Sequence, residues 1–231
     1  MRFKVKPHKK FLGIYQVLEN KKKALVTLNL SPGKSVYGER LVEHEDKEYR
    51  FWNPYRSKLA AAILKGLPTL PIQLGHKVLY LGAASGTTVS HISDIISAEG
   101  CIYCIEFSFR SLRDLIADVS AFRENVFPIL ADARFPERYR ILMETVDGIY
   151  CDIAQPEQAR VLADNADMFL REGAWALLVV KARSIDSTEE PSKIFRKEVD
   201  ILKERAFNVK KVIELRPYDK AHIMVLAEYH R

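Results

Sequence analysis

Two apolar patterns alternate along most of the chain. Short apolar runs bounded by glycine or polar residues are typical of buried parallel strands, whereas apolar residues at every third or fourth position are typical of helices. The short runs predict strands at residues 77–81, 101–106, 125–130, 146–151 and 174–181. The helical spacing predicts helices at residues 58–64, 88–98, 110–119, 136–142, 156–170 and 190–206. This alternation predicts an α/β fold, in which helices cover both faces of a parallel sheet.

The end of the chain breaks this alternation. The last two predicted strands, residues 209–215 and 222–229, are joined by six residues. A parallel crossover needs about a dozen residues or more, so the final strand is predicted to run antiparallel. A doubly wound sheet that ends in an antiparallel hairpin is the plan of Rossmann-like methyltransferases more than of dinucleotide-dependent dehydrogenases.

The first part of the chain is predicted to form a small β-rich domain (residues 1–54) ahead of the α/β domain (residues 55–231). Its strands are predicted at residues 11–17, 24–30 and 48–52, with a turn at Asn20-Lys21. It also holds the whole net charge of +6, because Lys and Arg equal Asp and Glu in number after residue 50. A basic domain beside a neutral one favours a polyanionic partner such as RNA. The alternative is that the excess charge only keeps the surface of the domain solvated.

Composition indicates an intracellular protein. The three cysteines, Cys101, Cys104 and Cys151, do not suit a disulfide framework. We expect no membrane partner, because no apolar run is long enough to span a bilayer. The first residues lack the apolar core of a signal peptide, so we expect a cytoplasmic location. Cys101 and Cys104 point to opposite faces of one strand, and no metal site is predicted.

The most informative stretch runs from a predicted strand through Gly82 and Gly86 to Thr87 and Thr88. Glycine lets the backbone approach a ligand closely, and the start of the following helix offers unpaired N–H groups. Open α/β sheets hold nucleotide-like cofactors in this way, beyond the carboxyl ends of their strands.

Acidic residues follow three of the predicted strands, namely Glu106, Asp132 and Asp152. Glu106 is suited to accept hydrogen bonds from two ribose hydroxyls, Asp132 to face an adenine amino group, and Phe107 to lie against the adenine ring. A pyrophosphate is repelled by carboxylates, whereas a sulfonium and an amino group are attracted. The pattern therefore favours S-adenosylmethionine (SAM) over NAD; the alternative is that the acids are solvated or cap helices.

Lys58, Asp152, Lys181 and His222 are predicted to meet at the same edge of the sheet. Methyl transfer to an oxygen needs an aligned nucleophile, a route for its proton and a field that favours the developing oxyanion. Our hypothesis is that Lys181 accepts or steers the hydroxyl proton, that Asp152 and Lys58 tune it, and that His222 orients the ribose or the lysine. The alternative is an ordinary Lys–Asp ion pair at a strand end.

Four blocks of the chain resemble the fibrillarin family. They are residues 53–63, residues 79–91, Glu106-Phe107-Ser108 and Asp152-Ile153-Ala154-Gln155-Pro156. The resemblance covers nearly the whole chain. It is to the archaeal form, because the Gly/Arg-rich N-terminal extension of eukaryotic fibrillarins is missing.

The resemblance implies a SAM-dependent methyltransferase that modifies ribose 2′-hydroxyls of rRNA, and of tRNA as a further substrate. The family works as the catalytic subunit of box C/D guide ribonucleoproteins, in which guide RNA selects the target by base pairing. Its partners are a Nop-domain scaffold protein and a kink-turn-binding subunit similar to a ribosomal protein. The family's catalytic tetrad falls on Lys58, Asp152, Lys181 and His222. Its cofactor contacts fall on Gly82, Ala83, Thr87, Thr88, Glu106, Phe107, Asp132, Ala133, Asp152 and Gln155.

Two other functions are kept as alternatives. One is a structural ribonucleoprotein subunit that retains the fold without turnover, against which the intact tetrad argues. The other is a nicotinamide-dependent enzyme. His91 lies in a family block on the helix after the glycine loop, and we expect it to pack rather than to react. The arginines near the predicted cofactor rim, Arg56, Arg110, Arg134 and Arg183, are either phosphate contacts or solvated charges.

Overall fold

An antiparallel sheet of five strands forms the first part of the molecule. The computed structural model describes residues 4–19 and 22–231, and the proposed turn at Asn20-Lys21 lies outside them. The strands pair in the order β1-β2-β3-β5-β4. Their bounds are β1 (Val5–Pro7), β2 (Ile14–Glu19), β3 (Lys22–Leu28), β4 (Leu41–His44) and β5 (Lys47–Trp52). Strands β1 and β4 were not predicted, because three or four residues with a proline or charges carry little alternation.

A second sheet has seven strands, in the order β11-β12-β10-β9-β6-β7-β8. Their bounds are β6 (Lys77–Leu81), β7 (Cys101–Glu106), β8 (Val126–Leu130), β9 (Val146–Cys151), β10 (Leu170–Lys181), β11 (Phe207–Glu214) and β12 (His222–Tyr229). Only β12 runs against its neighbours, pairing antiparallel with both β10 and β11. The predicted parallel sheet with a terminal antiparallel hairpin is confirmed, and the carboxyl ends of β6, β7, β9 and β10 share one edge.

Helices cover both faces of this sheet, as predicted. They are α1 (Lys58–Leu64), α2 (Thr87–Ile96), α3 (Phe109–Asp118), α4 (Gln158–Phe169), the short α5 (Ala182–Ile185) and α6 (Pro191–Glu204). No helix in the described ranges has the length and apolarity needed to cross a bilayer. The helix predicted at residues 136–142 is wrong, since two 3₁₀ turns, Pro136–Arg138 and Arg140–Leu142, occupy this segment. Only Pro136 and Tyr139 are buried there, so an amphipathic helix has no apolar stripe to bury.

The apolar core joins the two sheets. Phe11, Leu25 and Trp52 of the first part belong to the same buried cluster as Ile92 of α2 and Leu59 of α1. A second cluster, on the other face of the large sheet, contains the inward residues of α4 and α6. Burial of this size accounts for most of the stability of an α/β domain. The division of the chain at residues 54/55 stays a prediction, because no gap in the core marks it.

Four charged side chains are buried between the first sheet and α2, and we call them the buried ionic cluster (Glu39, Arg50, Asp94 and Arg123). Arg50 is fully buried, with its guanidinium 2.6 Å from Glu39 Oε1 and 3.1 Å from Asp94 Oδ2. Arg123 Nη1 lies 2.6 Å from Asp94 Oδ1. Buried charges are tolerated only when paired in this way. The cluster fixes α2, and with it the loop that precedes α2, to the first sheet.

His91 lies in the same contact and has a packing role, as expected. Its ring is fully buried, stacks on Trp52 with ring centroids 4.8 Å apart, and has hydrogen-bond partners in Thr27 and Tyr37, each at 2.8 Å. Burial lowers the pKa of His91 well below its usual value. A neutral imidazole held on both nitrogens has no capacity left for chemistry.

Candidate active site

The glycine loop crosses the carboxyl edge of the large sheet between β6 and α2. Gly82 has φ +80°, and its N–H donates to Ile105 O at 2.9 Å. A side-chain carbon at Gly82 would lie 2.8 Å from Asp152 O, and one at Gly86 (φ +91°) would lie 2.6 Å from Leu115. Positive φ and close approach both require glycine at these two positions. The loop is therefore pressed against the end of β9, where Asp152 lies.

A cavity of about 260 Å³ opens beside this loop. Six of the predicted cofactor contacts line it, namely Gly82, Glu106, Phe107, Ala133, Asp152 and Gln155. Sequence reasoning missed further lining residues, which are Ala84, Ile105, Ser108, Ser111, Ala131, Ile153 and Ala154. Most of them are small or apolar residues next to the predicted ones in the sequence. That proximity was the only signal in the sequence that could have identified them. A larger hollow of about 650 Å³, lined by His76 and Trp175, lies at the amino ends of the strands, away from Glu106, Asp132 and Asp152.

Glu106 is the buried acid of this cavity. The residue is 6% exposed, and its carboxylate accepts the N–H of Ala84 at 2.8 Å on one oxygen and the N–H of Ser108 at 2.9 Å on the other. These bonds hold the carboxylate in place, and each oxygen keeps a lone pair for a hydroxyl donor. Phe107 is 68% exposed at the mouth, so its ring offers a face to a flat ligand.

The other predicted contacts do not line the cavity. Ala83 is a buried residue of the loop itself, Thr87 is the first residue of α2, and Thr88 Oγ1 lies 3.0 Å from Ser57 Oγ at the start of α1. The Asp132 carboxylate binds the Arg134 guanidinium, whose hydrogen bonds lower the pKa of Asp132. An adenine amino group would have to compete with Arg134 for it. All ten cofactor contacts stay predictions, and these four residues lie outside the lining of the cavity.

Three members of the predicted tetrad meet at the cavity. Asp152 lies between two lysines, with Lys58 Nζ 3.2 Å from its Oδ2 and Lys181 Nζ 2.8 Å from its Oδ1. Lys181 Nζ also donates to the Asp152 backbone carbonyl at 2.7 Å. The three side chains are between 13% and 24% exposed, so water screens them only in part. Two cations against one carboxylate leave a net positive charge at the edge of the cavity.

His222 approaches the same cluster from the neighbouring strand. It pairs with Lys181 in the antiparallel register of β10 and β12, and cross-strand partners share one face of a sheet. Its Nδ1 lies 2.5 Å from Asp219 Oδ1, a contact that the sequence analysis missed although Asp219 lies three positions earlier. Burial lowers the pKa of His222, Asp219 and Asp152 raise it, and Lys58 lowers it further. The lowered pKa means that the His222 ring stays neutral at a lower pH than the ring of a solvent-exposed histidine.

We expect the Asp219→Asn substitution to lower the pKa of His222 further. Removing the carboxylate charge of Asp219 destabilises the imidazolium form of His222. Burial and Lys58 still lower the pKa of His222, and only Asp152 is left to raise it. The pKa is measured by following the ring protons of His222 by NMR between pH 4 and pH 8. The Asp200→Asn substitution, at an exposed position on α6, is the control and leaves the titration unchanged. An unchanged or raised pKa in Asp219→Asn would show that Asp219 does not act on the ring.

Comparison with known proteins agrees with this geometry. Residues 5–231 match the protein family described as Fibrillarin. The chain belongs to the fibrillarin family. It is 55% identical over 230 residues to a fibrillarin-like rRNA/tRNA 2′-O-methyltransferase of Staphylothermus marinus, covering 98% of this chain and 97% of that protein.

Solved fibrillarin structures have the same fold. The crystal structure of Aeropyrum pernix fibrillarin with natively bound S-adenosyl-L-methionine is 51% identical, covers 97% of both chains and superposes with a TM-score of 0.91. The fibrillarin of a fibrillarin/Nop5p complex is 42% identical, covers 96% of this chain and 100% of its own, and has a TM-score of 0.85. The predicted family and methyltransferase fold are thus confirmed for this fibrillarin-family chain.

Proposed function

We propose that this chain transfers a methyl group from SAM to ribose 2′-hydroxyls of rRNA, and of tRNA as a further substrate. The observation that carries the proposal is the contact of Lys58, Asp152 and Lys181 at the wall of the cavity, where Asp152 and Lys181 are both lining residues. The name of the S. marinus relative and the ligand of A. pernix fibrillarin support the same reaction.

The cavity suits SAM on two counts. The buried carboxylate of Glu106 is suited to a pair of ribose hydroxyls, as its counterpart is in other nucleotide-binding sheets. Gln155 Oε1 is buried and has no hydrogen-bond partner within the described residues, and the side chain lines the cavity. An unpaired buried acceptor is costly, and a donor group on the ligand would satisfy it.

The reaction needs a reactive methyl group and a hydroxyl that loses its proton. When bound, SAM supplies the methyl group on an electron-poor sulfonium. Lys181 Nζ, held by two oxygens of Asp152, is suited to orient the 2′-hydroxyl. As an ammonium group it steers the departing proton, and only as a neutral amine does it accept that proton. Lys58 holds the second carboxylate oxygen, and the net positive charge favours the developing oxyanion. His222, beside Lys181 on the next strand, is placed to orient the ribose or the lysine.

We infer further that the chain works inside a guide ribonucleoprotein with box C/D guide RNA, a Nop-domain scaffold and a kink-turn-binding subunit. The known fibrillarin/Nop5p complex supports the scaffold. Residues 51–231 contain equal numbers of basic and acidic side chains, so this part of the chain binds a phosphate backbone only weakly. This supports a guide RNA that holds the substrate RNA by base pairing. We place this particle in the cytoplasm.

Reconstitution tests the proposal. The chain is assembled with the scaffold, the kink-turn-binding subunit and guide RNA, and transfer of labelled methyl from SAM into a complementary RNA is measured. We expect transfer to one guided ribose, and little transfer by the isolated chain. An assembled particle that binds SAM but never transfers methyl would favour the structural-subunit alternative. Calorimetric binding of NAD without SAM would favour the nicotinamide alternative.

We expect Gly82→Ala to weaken SAM binding at least about tenfold and to lower the melting temperature. The new side-chain carbon combines a strained positive φ with a 2.8 Å approach to Asp152 O, which pushes the loop from the end of β9. Gly66→Ala is a matched control, because Gly66 has φ +91° with nothing within 4 Å. It carries the strain alone and should bind SAM normally. Calorimetry measures both affinities, and equal affinities in the two variants would contradict the prediction.

A further inference from the structure

One fully buried polar side chain next to the tetrad has no part in the proposed reaction. Gln158 is the first residue of α4, and it is 0% exposed. Its side-chain amide spans the backbone of Lys181, because Oε1 accepts the Lys181 N–H at 2.8 Å and Nε2 faces the Lys181 carbonyl oxygen at 3.4 Å. A glutamine loses hydration and side-chain entropy when it is buried, and these backbone contacts offset that loss. We call the two contacts the Gln158 clamp.

The Gln158 clamp takes the place of a strand partner. Lys181 is the last residue of β10, and on one side it pairs with His222 of β12. On the other side β9 ends at Cys151, which pairs with Leu178, so the end of β10 extends beyond its neighbour. A backbone N–H or C=O that has neither water nor a partner costs free energy, and the amide of Gln158 supplies an acceptor and a donor at this point.

Both ends of Lys181 are therefore held by one connection, the segment from Asp152 to Gln158 between β9 and α4. Lys181 Nζ contacts Asp152 Oδ1 at 2.8 Å and donates to the Asp152 carbonyl at 2.7 Å, while its backbone contacts Gln158. The start of α4 is itself fixed, since the N–H of Ala159 donates to the buried Glu198 of α6 at 2.7 Å. Pairing with β12 alone would leave the end of β10 free to move on the side where Asp152 lies.

We propose that Gln158 is a positioning residue for methyl transfer, which directs Lys181 Nζ to Asp152 by holding the backbone of Lys181. Gln158 lies outside the lining of the SAM cavity, so it acts through Lys181. The alternative is that the amide only satisfies the end of β10, in which case its loss lowers stability and leaves the rate unchanged. The inference rests on the proposed function, because it assigns Lys181 to the transfer reaction.

Gln158→Met tests the proposal, since methionine fills a similar volume and makes neither backbone contact. In the reconstituted particle we expect the rate of methyl transfer at saturating RNA to fall about ten- to a hundredfold, with SAM affinity and KM for RNA changing less than about threefold. In the isolated chain, hydrogen exchange of the Lys181 N–H, followed by NMR, should become at least about tenfold faster. Should this variant not fold, Gln158→Asn replaces it with the same expected results, because its shorter side chain cannot span both backbone groups.

Two further variants separate positioning from stability. Asn125→Leu is the matched control, because Asn125 is a buried amide that donates to Ser93 O and Ser97 O just before β8 begins, at the amino edge of the sheet. It should lower the melting temperature, as Gln158→Met does, and leave the rate unchanged. Gln158→Glu is the rescue variant, because burial favours the protonated carboxyl, which has a donor and an acceptor like the amide. It should transfer methyl within about threefold of the normal rate.

The outcomes distinguish the two proposals. If the unaltered particle transfers no methyl group, the proposed function fails. If it does, and exchange of the Lys181 N–H is unchanged in Gln158→Met, the backbone is not held by Gln158 and the inference is wrong. The inference is equally wrong if exchange is faster while the rate is normal, or if Asn125→Leu slows transfer as much as Gln158→Met. A loss of SAM binding that matches the loss of rate would also overturn it, because Gln158 would then act through the cofactor.

Discussion

Replacing Lys181 by methionine is expected to slow methyl transfer by about a hundred- to ten-thousandfold, while SAM affinity changes only a few-fold. Methionine keeps an unbranched apolar stem of similar length in a site where Lys181 is 15% exposed. It removes the ammonium group that contacts the Asp152 carboxylate at 2.8 Å and its carbonyl at 2.7 Å. Asp152 still has Lys58 as a partner, so the fold is expected to persist.

Two measurements separate chemistry from binding in this variant. Single-turnover transfer of labelled methyl into guided RNA gives the rate, and calorimetry gives the SAM affinity. Lys77→Met is the control, because Lys77 forms an exposed ion pair with Glu144 at the opposite end of β6. It should transfer methyl at the normal rate. A rate of methyl transfer within tenfold of normal in Lys181→Met would contradict the catalytic role of Lys181. Lys181 and Asp152 would then form only an ordinary ion pair at a strand end.

The second large effect is expected on stability, from Asp94→Asn in the buried ionic cluster. Asp94 is the shared carboxylate of Arg50 and Arg123, and all three side chains are at most 1% exposed. Its removal leaves two guanidinium groups with only the Glu39 carboxylate between them. Breaking a buried pair in this way costs about 3–5 kcal/mol, because an uncompensated charge stays buried. Equilibrium unfolding in denaturant measures the free energy of unfolding directly.

An exposed ion pair supplies the comparison. Asp200 contacts Lys203 at 3.0 Å on α6, and both side chains are more than half exposed. Such pairs contribute about 0–1 kcal/mol, so Asp200→Asn should leave stability nearly unchanged. A loss of less than about 1 kcal/mol in the free energy of unfolding of Asp94→Asn would mean that water or a rearrangement stabilises the charges of the two arginines. The buried ionic cluster would then not be what fixes α2 to the first sheet.

Much of the site was predictable because it lies at strand ends. Parallel strands bring their carboxyl ends to one edge, so Glu106 and Asp152 were placed together from local pattern alone. The contact of Lys58 with Asp152 is different, since these residues are 94 positions apart and no local pattern joins them. The sequence analysis predicted that the four tetrad residues meet at one edge of the sheet, and the resemblance to fibrillarin matched them to the family's tetrad. Only the structure brings Lys58 and Lys181 into contact with Asp152, with His222 beside Lys181. Their catalytic roles stay predictions.

Local pattern by itself determined the α/β alternation, the terminal hairpin and the glycine loop, because periodicity, link length and backbone freedom are properties of neighbouring residues. Tertiary structure alone decided that Asp132 is engaged by Arg134, that Asp219 contacts His222, and that residues 136–142 form no helix. It also decided that charges from the basic first part are buried against α2. The contacts of Asp132 with Arg134 and of Asp219 with His222 join residues two and three positions apart, and they depend on the turn conformation that the fold gives each segment. The burial of charges against α2 depends on distant side chains brought within hydrogen-bonding reach, and the free energy of such contacts exists only after the chain has folded.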